Sequence, residues 1–172
     1  MNTYTEVLQS NIESIAKQLN CVMQQGLNIA GMMYVEERPP RIEGPILAPD
    51  IFHPTIESSY FTMLHELGHV YHKHTQGRPP YQNEKFYFEN GVLKSEAQAW
   101  EFALDNSLIE PTQIERDVMV HKCIMSYYNS SKTANGKPHR LWNGNRHWIE
   151  FIYDEPDTYF WNVINRMEGK QS

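Results

Sequence analysis

The run His65-Glu66-Leu67-Gly68-His69 constrains this chain more than any other five residues in it. Histidines four apart stand about 40° from one another around an α-helix, so both imidazoles reach one point beside it. Two imidazoles placed in that way can share a zinc ion at about 2.0–2.1 Å. Glu66 lies about 100° further round, beside such an ion rather than on it. From there a carboxylate can take a proton from an attacking water and deliver it to a leaving amine. The pattern therefore predicts a helix with a chemical front and a buried back. Tyr60, Met63, Leu64, Leu67, Val70 and Tyr71 supply the back, because they fall on the opposite arc.

Two imidazoles leave zinc short of a third protein ligand. His72 shares their face but lies about 10 Å from His65 along a straight helix, too far to join them. His74 points to the other side. No glycine turn leads to a later histidine ligand. A better source is the helix expected over Ser95 to Ser107, where Ala99 and Ala103 share the face of Glu96 and would let a second helix approach closely. Glu101 is its rival, since Asp105 follows four residues later and could orient a histidine. The residues alone leave Glu96 and Glu101 both open as the third ligand.

A chain of 172 residues, 40% of them hydrophobic, fits one domain with a real core. No stretch approaches the roughly 20 apolar residues of a membrane span. Met1 to Asn20 has no apolar leader core, so no secretory signal is expected. The net charge of −6 argues against wholesale binding to nucleic acid or anionic membrane. Cys21 and Cys123 cannot form a disulfide framework. They read as small buried apolar residues in a reducing compartment, which gives a cytoplasmic protein.

Periodicity and turn residues predict an α+β fold. A helix is expected over residues 4–23 with Gly26 as its stop, then a strand from Met33 to Glu36. A second extended segment, Ile42 to Pro49, belongs at a sheet edge because Pro45 and Pro49 cannot donate to a ladder. The active-site helix spans Ile56 to Lys73, Phe86 to Phe88 is a strand or loop, and another helix covers residues 94–109 before Pro111. Thr112 and Glu115 form a capping box for a helix to Tyr128. Asn129 to Arg146 sets Lys132, Lys137, Arg140 and Arg146 around Trp142, with Trp148 just beyond. Cations with aromatics suit single-stranded nucleic acid, but in an acidic chain this reads as a solvated loop. A strand over Trp148 to Tyr153 and a docked amphipathic helix from Asp157 to Met167, carrying Phe160, Trp161, Val163 and Ile164, complete the chain.

His65-Glu66-Leu67-Gly68-His69 followed by Glu96-Ala97-Gln98-Ala99-Trp100-Glu101-Phe102-Ala103 resembles the ImmA/IrrE family of zinc metallopeptidases. There HELGH is followed by E-x-[EQ]-A-N-x-F-A. Gln98, Ala99, Phe102 and Ala103 match that motif, and its first Glu, taken as the third zinc ligand, falls on Glu96. Trp100 stands where the family has Asn or Asp, and Pro111 comes two residues late. Ile46 to Pro49 looks like the family's edge strand, able to pair with an extended substrate. The resemblance covers residues 30–111 and implies a gluzincin-like, zincin-fold domain over residues 1–111. Residues 112–172 form a helical extension packed on it. It also implies a zinc-dependent endopeptidase acting on a protein or peptide, including DNA-binding repressors or antitoxin-like regulators. In that reading zinc sits on His65, His69 and Glu96, and Glu66 is the catalytic base. His121, Tyr127 and His147 are candidates for a further oxyanion donor. The competing expectation is an inactive zincin fold serving as a binding or inhibitory module, a reading that Trp100 feeds.

Overall fold

The computed structural model describes residues 3–26, 33–35, 39–44, 46–49, 53–74, 92–134, 139–142, 148–151 and 155–170. Helix α1, Tyr4–Gln18, opens on a capping box: the Thr3 N–H donates to the Glu6 carboxylate at 2.5 Å, and the Glu6 N–H donates to Thr3 Oγ1 at 3.3 Å. Leu8, Ile12 and Ala16 are its buried stripe. The helix does not run on to Met23 as its periodicity predicts. Asn20 adopts φ 51°, its N–H bonds the Lys17 carbonyl at 3.2 Å, and the Cys21 N–H bonds Ala16 at 2.8 Å. That pair of bonds is a Schellman closure, and asparagine enters the left-handed region more readily than most residues. Val22–Gln25 is therefore strand β1, and Gly26 follows a strand rather than stopping a helix.

Strands β2, Met33–Val35, and β3, Arg41–Gly44, complete a three-stranded sheet in the order β1-β3-β2. Ile42 pairs with Met23 in the parallel ladder and with Tyr34 in the antiparallel one. The segment expected at the edge is thus the central strand. The proline rule does not prevent this, because the paired residues Arg41–Gly44 include no proline and no ladder bond is asked of Pro49. The Pro40 carbonyl instead accepts the Val22 N–H at 2.8 Å. The extension toward Pro49 fails too: Ile46-Leu47 is a turn, with Leu47 buried at φ 48°. The expected edge strand for substrate is therefore not present at Ile46 to Pro49. Glu36, Pro45 and Phe86 to Phe88 lie outside the described residues.

Helix α2, Ile56–His74, carries the histidine motif. Tyr60, Met63, Leu64, Leu67 and Val70 are buried along its back as expected, Phe61 is buried one turn before His65, and Tyr71, expected with the back, is instead exposed with its ring against Phe102. At its entry the Thr55 hydroxyl accepts the Ser58 N–H at 2.9 Å and donates to Glu115 Oε1 at 3.0 Å. Midway, the Tyr60 hydroxyl donates to Asn11 Oδ1 at 2.7 Å and accepts the Leu108 N–H at 3.0 Å. The chemical helix is thereby fixed to α1 and to the segment after helix α3, Val92–Asn106. Helix α3 stops short of residue 109, where Ser107 Oγ takes over, bonding the Ile109 carbonyl at 2.7 Å and its N–H at 3.1 Å.

Helix α4, Gln113–Asp117, a π-helix, Val118–Ile124, and helix α5, Met125–Ala134, follow without a break. The expected capping box is present. The helical run outlasts the expected end at Tyr128 and absorbs the first part of the polar stretch. Strands β4, His139–Trp142, and β5, Trp148–Phe151, pair antiparallel with Trp142 opposite Trp148. Residues 129–134 are thus helix and 139–142 strand where a loop was expected, and the rest of the stretch to Arg146 lies outside the described residues. Lys132 sits 4.1 Å over the Tyr128 ring, and ion–quadrupole attraction holds it there. Lys137 and Arg146 lie outside the described residues. Helix α6, Thr158–Met167, is capped by Asp157, whose Oδ1 accepts the Phe160 N–H at 2.9 Å. Its buried Phe160, Val163, Ile164 and Met167 join the same core as Leu8, Leu64, Leu93 and Trp100. The protein is a helix-rich α+β fold, and no helix among the described residues is long and apolar enough to cross a membrane.

Glu115 links two of these elements. Its buried carboxylate accepts from Thr55, from the Thr112 N–H at 2.8 Å and from the Thr112 hydroxyl. Burial opposes its ionisation, but the Thr112 and Thr55 bonds prevail and hold the group below the usual carboxylate range. A depressed native pKa contributes stability above the unfolded value, about 4.3 for glutamate, and that stability is lost as pH falls through the native value. Glu115→Ala should cost roughly 0.5–2 kcal/mol at neutral pH and flatten the acid limb of a Tm-against-pH curve.

Candidate metal centre

Helices α2 and α3 touch through their small residues. A Cβ added to Gly68 would lie 2.8 Å from the Ala99 carbonyl oxygen and 2.9 Å from its Cα, both backbone atoms that cannot swing aside. Ala99 and Ala103 are fully buried at this seam, as their spacing from Glu96 implies. Gly68 is therefore the residue that lets α3 bring Glu96 to the histidines. Gly68→Ala should overpack the seam, at a cost of about 1–3 kcal/mol. A thermal melt should show a lower Tm, and metal affinity should fall with it.

At the seam three side chains converge. His65 Nε2 and His69 Nε2 are 3.1 Å apart. Glu96 Oε2 lies 3.2 Å from the first and Glu96 Oε1 3.3 Å from the second. A tetrahedral ion with bonds of about 2.0–2.1 Å spaces its donors about 3.3 Å apart, so the triangle has the size that zinc requires. His65, His69 and Glu96 are 5%, 5% and 3% exposed, so little water is at hand to solvate them. Two ring nitrogens facing each other at this distance need a proton or a cation between them. Glu96 Oε2 is buried with no hydrogen-bond donor. Burial by itself would raise the Glu96 pKa, but His69 and His65 outweigh it and hold the carboxyl well below the usual range. Two nitrogens and a buried carboxylate, with an acceptor left over, form a cage that can hold a metal ion.

The other expected residues sort around that cage. Glu66 Oε1 is 3.9 Å from His65 Nε2, beside the donor triangle and outside it. Its side chain is 12% exposed, so it faces the cage from a nearly buried position. Glu101 is not part of the cluster and accepts the Tyr159 hydroxyl of α6 instead. His72 is outside the cluster, half-buried, with burial lowering its pKa. The side chain of His74 lies outside the described residues. Of the three candidate oxyanion donors, His121 is exposed on the π-helix and Tyr127 packs against the core. His147 lies outside the described residues.

Two neighbours of the cage carry no local sequence signal. Trp100 lays its ring over His65, centroids 4.2 Å apart and planes inclined 31°. Cys123 comes from the π-helix; burial, reinforced by the charges of Glu96 and Glu66, pushes its thiol up to about 12. It is a neutral thiol at physiological pH, as is the buried Cys21, raised to about 11 by burial. Comparison of the chain with protein-family models, with curated proteins and with solved structures returned no match.

Proposed function

We propose that the protein is a zinc metalloendopeptidase with a zincin-like active site, of the kind its two motifs resemble. The reading is carried by the convergence of His65 Nε2, His69 Nε2 and Glu96 within hydrogen-bond distance of one another, with Glu66 beside them. His65, His69 and Glu96 would hold the ion. Two imidazoles and one carboxylate are a donor set of catalytic rather than structural zinc, which leaves a position open. Bound there, zinc lowers the pKa of water and polarises the scissile carbonyl.

The protein's own groups do the rest. Glu66 takes the proton of the attacking water and passes it to the departing amine, the role open to a carboxylate beside the donors but not among them. The buried donors hold their geometry before substrate arrives, so little reorganisation is needed during reaction. Glu96 brings the negative charge that a divalent ion needs in a dry cage. The substrate is a protein or extended peptide, and a repressor or antitoxin-like regulator is the class that the resemblance implies.

The test is hydrolysis of a fluorogenic peptide library by the zinc-loaded protein. Cleavage that stops with a chelator and returns with added zinc is the expected result. Cleavage indifferent to chelator, or none by a protein holding one zinc per chain, would overturn the peptidase reading. The second of these outcomes favours the binding-module alternative.

A further inference from the structure

His65 is held differently from an ordinary metal-ligating histidine. Its Nε2 faces His69 and Glu96, and once that nitrogen is given to a metal the proton of the neutral ring sits on Nδ1. A ligating imidazole ordinarily gives that proton to a carboxylate, a carbonyl or water, which fixes the ring and raises its basicity. Here Nδ1 is buried and has no hydrogen-bond partner. What lies against the ring is Trp100, with centroids 4.2 Å apart and planes 31° from parallel. Trp100 is 1% exposed, and its own Nε1 is likewise buried without a partner, so no hydrogen bond turns the indole another way.

We infer that Trp100 is a positioning residue for the metal centre: it fixes the plane of His65 by ring stacking where no hydrogen bond to Nδ1 does so. The inference rests on the reading of His65, His69 and Glu96 as metal ligands. The physics favours the loaded state. An imidazole that donates to a cation becomes more positive, and the face of an indole attracts positive charge. The stack therefore strengthens as His65 takes up metal. The geometry of Glu96 adds a reason for the choice of residue. Trp100 is one helical turn beyond Glu96 on α3, so the helix that supplies the third ligand also clamps the first. Any shift of α3 along α2 would move both together.

The test compares Trp100→Phe with Trp100→Met, both apolar and both smaller than tryptophan, by zinc affinity in competition with a chromophoric chelator. Trp100→Phe keeps an aromatic face and should bind within about threefold of wild type. Trp100→Met fills the core without one and should bind at least tenfold more weakly, the lower end of the roughly 10–100-fold lost when an outer partner of a ligand is removed. Equal affinities in the two variants would overturn the inference. Ring resonances of histidine in the metal-free wild type give a reading that does not depend on a variant folding. Those of His65 should be shifted upfield by the indole ring current, and their appearance at ordinary positions would overturn the stack itself. A wild-type protein that takes up no zinc would instead overturn the metal centre, and this inference with it.

Discussion

Glu66→Gln is expected to keep its zinc and to cleave peptide about 10²–10⁴-fold more slowly than wild type, the usual contribution of a positioned general base. The substitution is nearly isosteric, so the buried back of α2 and the seam at Gly68 are untouched. Glu66 Oε1 lies 3.9 Å from His65 Nε2, whereas the donors lie 3.1–3.3 Å from one another. An amide in its place can still accept a hydrogen bond from water but cannot take its proton. The loss should therefore fall on turnover, with metal stoichiometry by elemental analysis unchanged. A variant that cleaves as fast as wild type would remove Glu66 from the chemistry. One that loses zinc would make it a ligand instead. Carrying out both measurements on one preparation separates these outcomes.

How far the sequence reaches is visible in particular residues. The helix carrying the motif was expected from Ile56 to Lys73 and runs Ile56–His74, because one continuous apolar stripe fixes its face and its length. Periodicity alone could not tell Glu96 from Glu101, since both sit on one helix and the pattern does not say how that helix is rotated against its neighbour; the resemblance of the second motif is what pointed to Glu96. Ala99 and Ala103 pointed the right way, and the close approach at Gly68 explains them. The expectations that failed did so where a local contact outweighs periodicity. Val22 and Met23 fit a helical spacing, yet a two-bond closure around Asn20 turns them into a strand. The proline rule for edge strands misplaced β3 because it applies to residues inside the ladder, and these prolines flank it. The π-helix has no residue signature at all. Its consequence, a thiol from Cys123 close enough to feel the charges of Glu96 and Glu66, arises only when distant segments pack together. The stack of Trp100 on His65 is of the same kind.

Glu96→Ala should leave the protein unable to retain zinc, while Glu101→Ala retains one ion per chain. The first removes the anionic donor from a cage whose members are at most 5% exposed, where little bulk water is at hand to replace it. Two imidazoles alone do not complete a protein zinc site. The affinity lost should exceed the roughly 10–100-fold expected for an outer-shell partner. Elemental analysis after gel filtration should then find the variant metal-free. Glu101→Ala touches a different contact, the hydroxyl of Tyr159 that docks α6 on α3. Its cost should appear as a lower Tm with metal content intact. The pair thus opposes two readouts, metal and melting, on two glutamates five residues apart on one helix. Zinc retained by Glu96→Ala and lost by Glu101→Ala would mean that the donor triangle is a buried ion pair sharing a proton, and that the metal binds on the opposite face of α3.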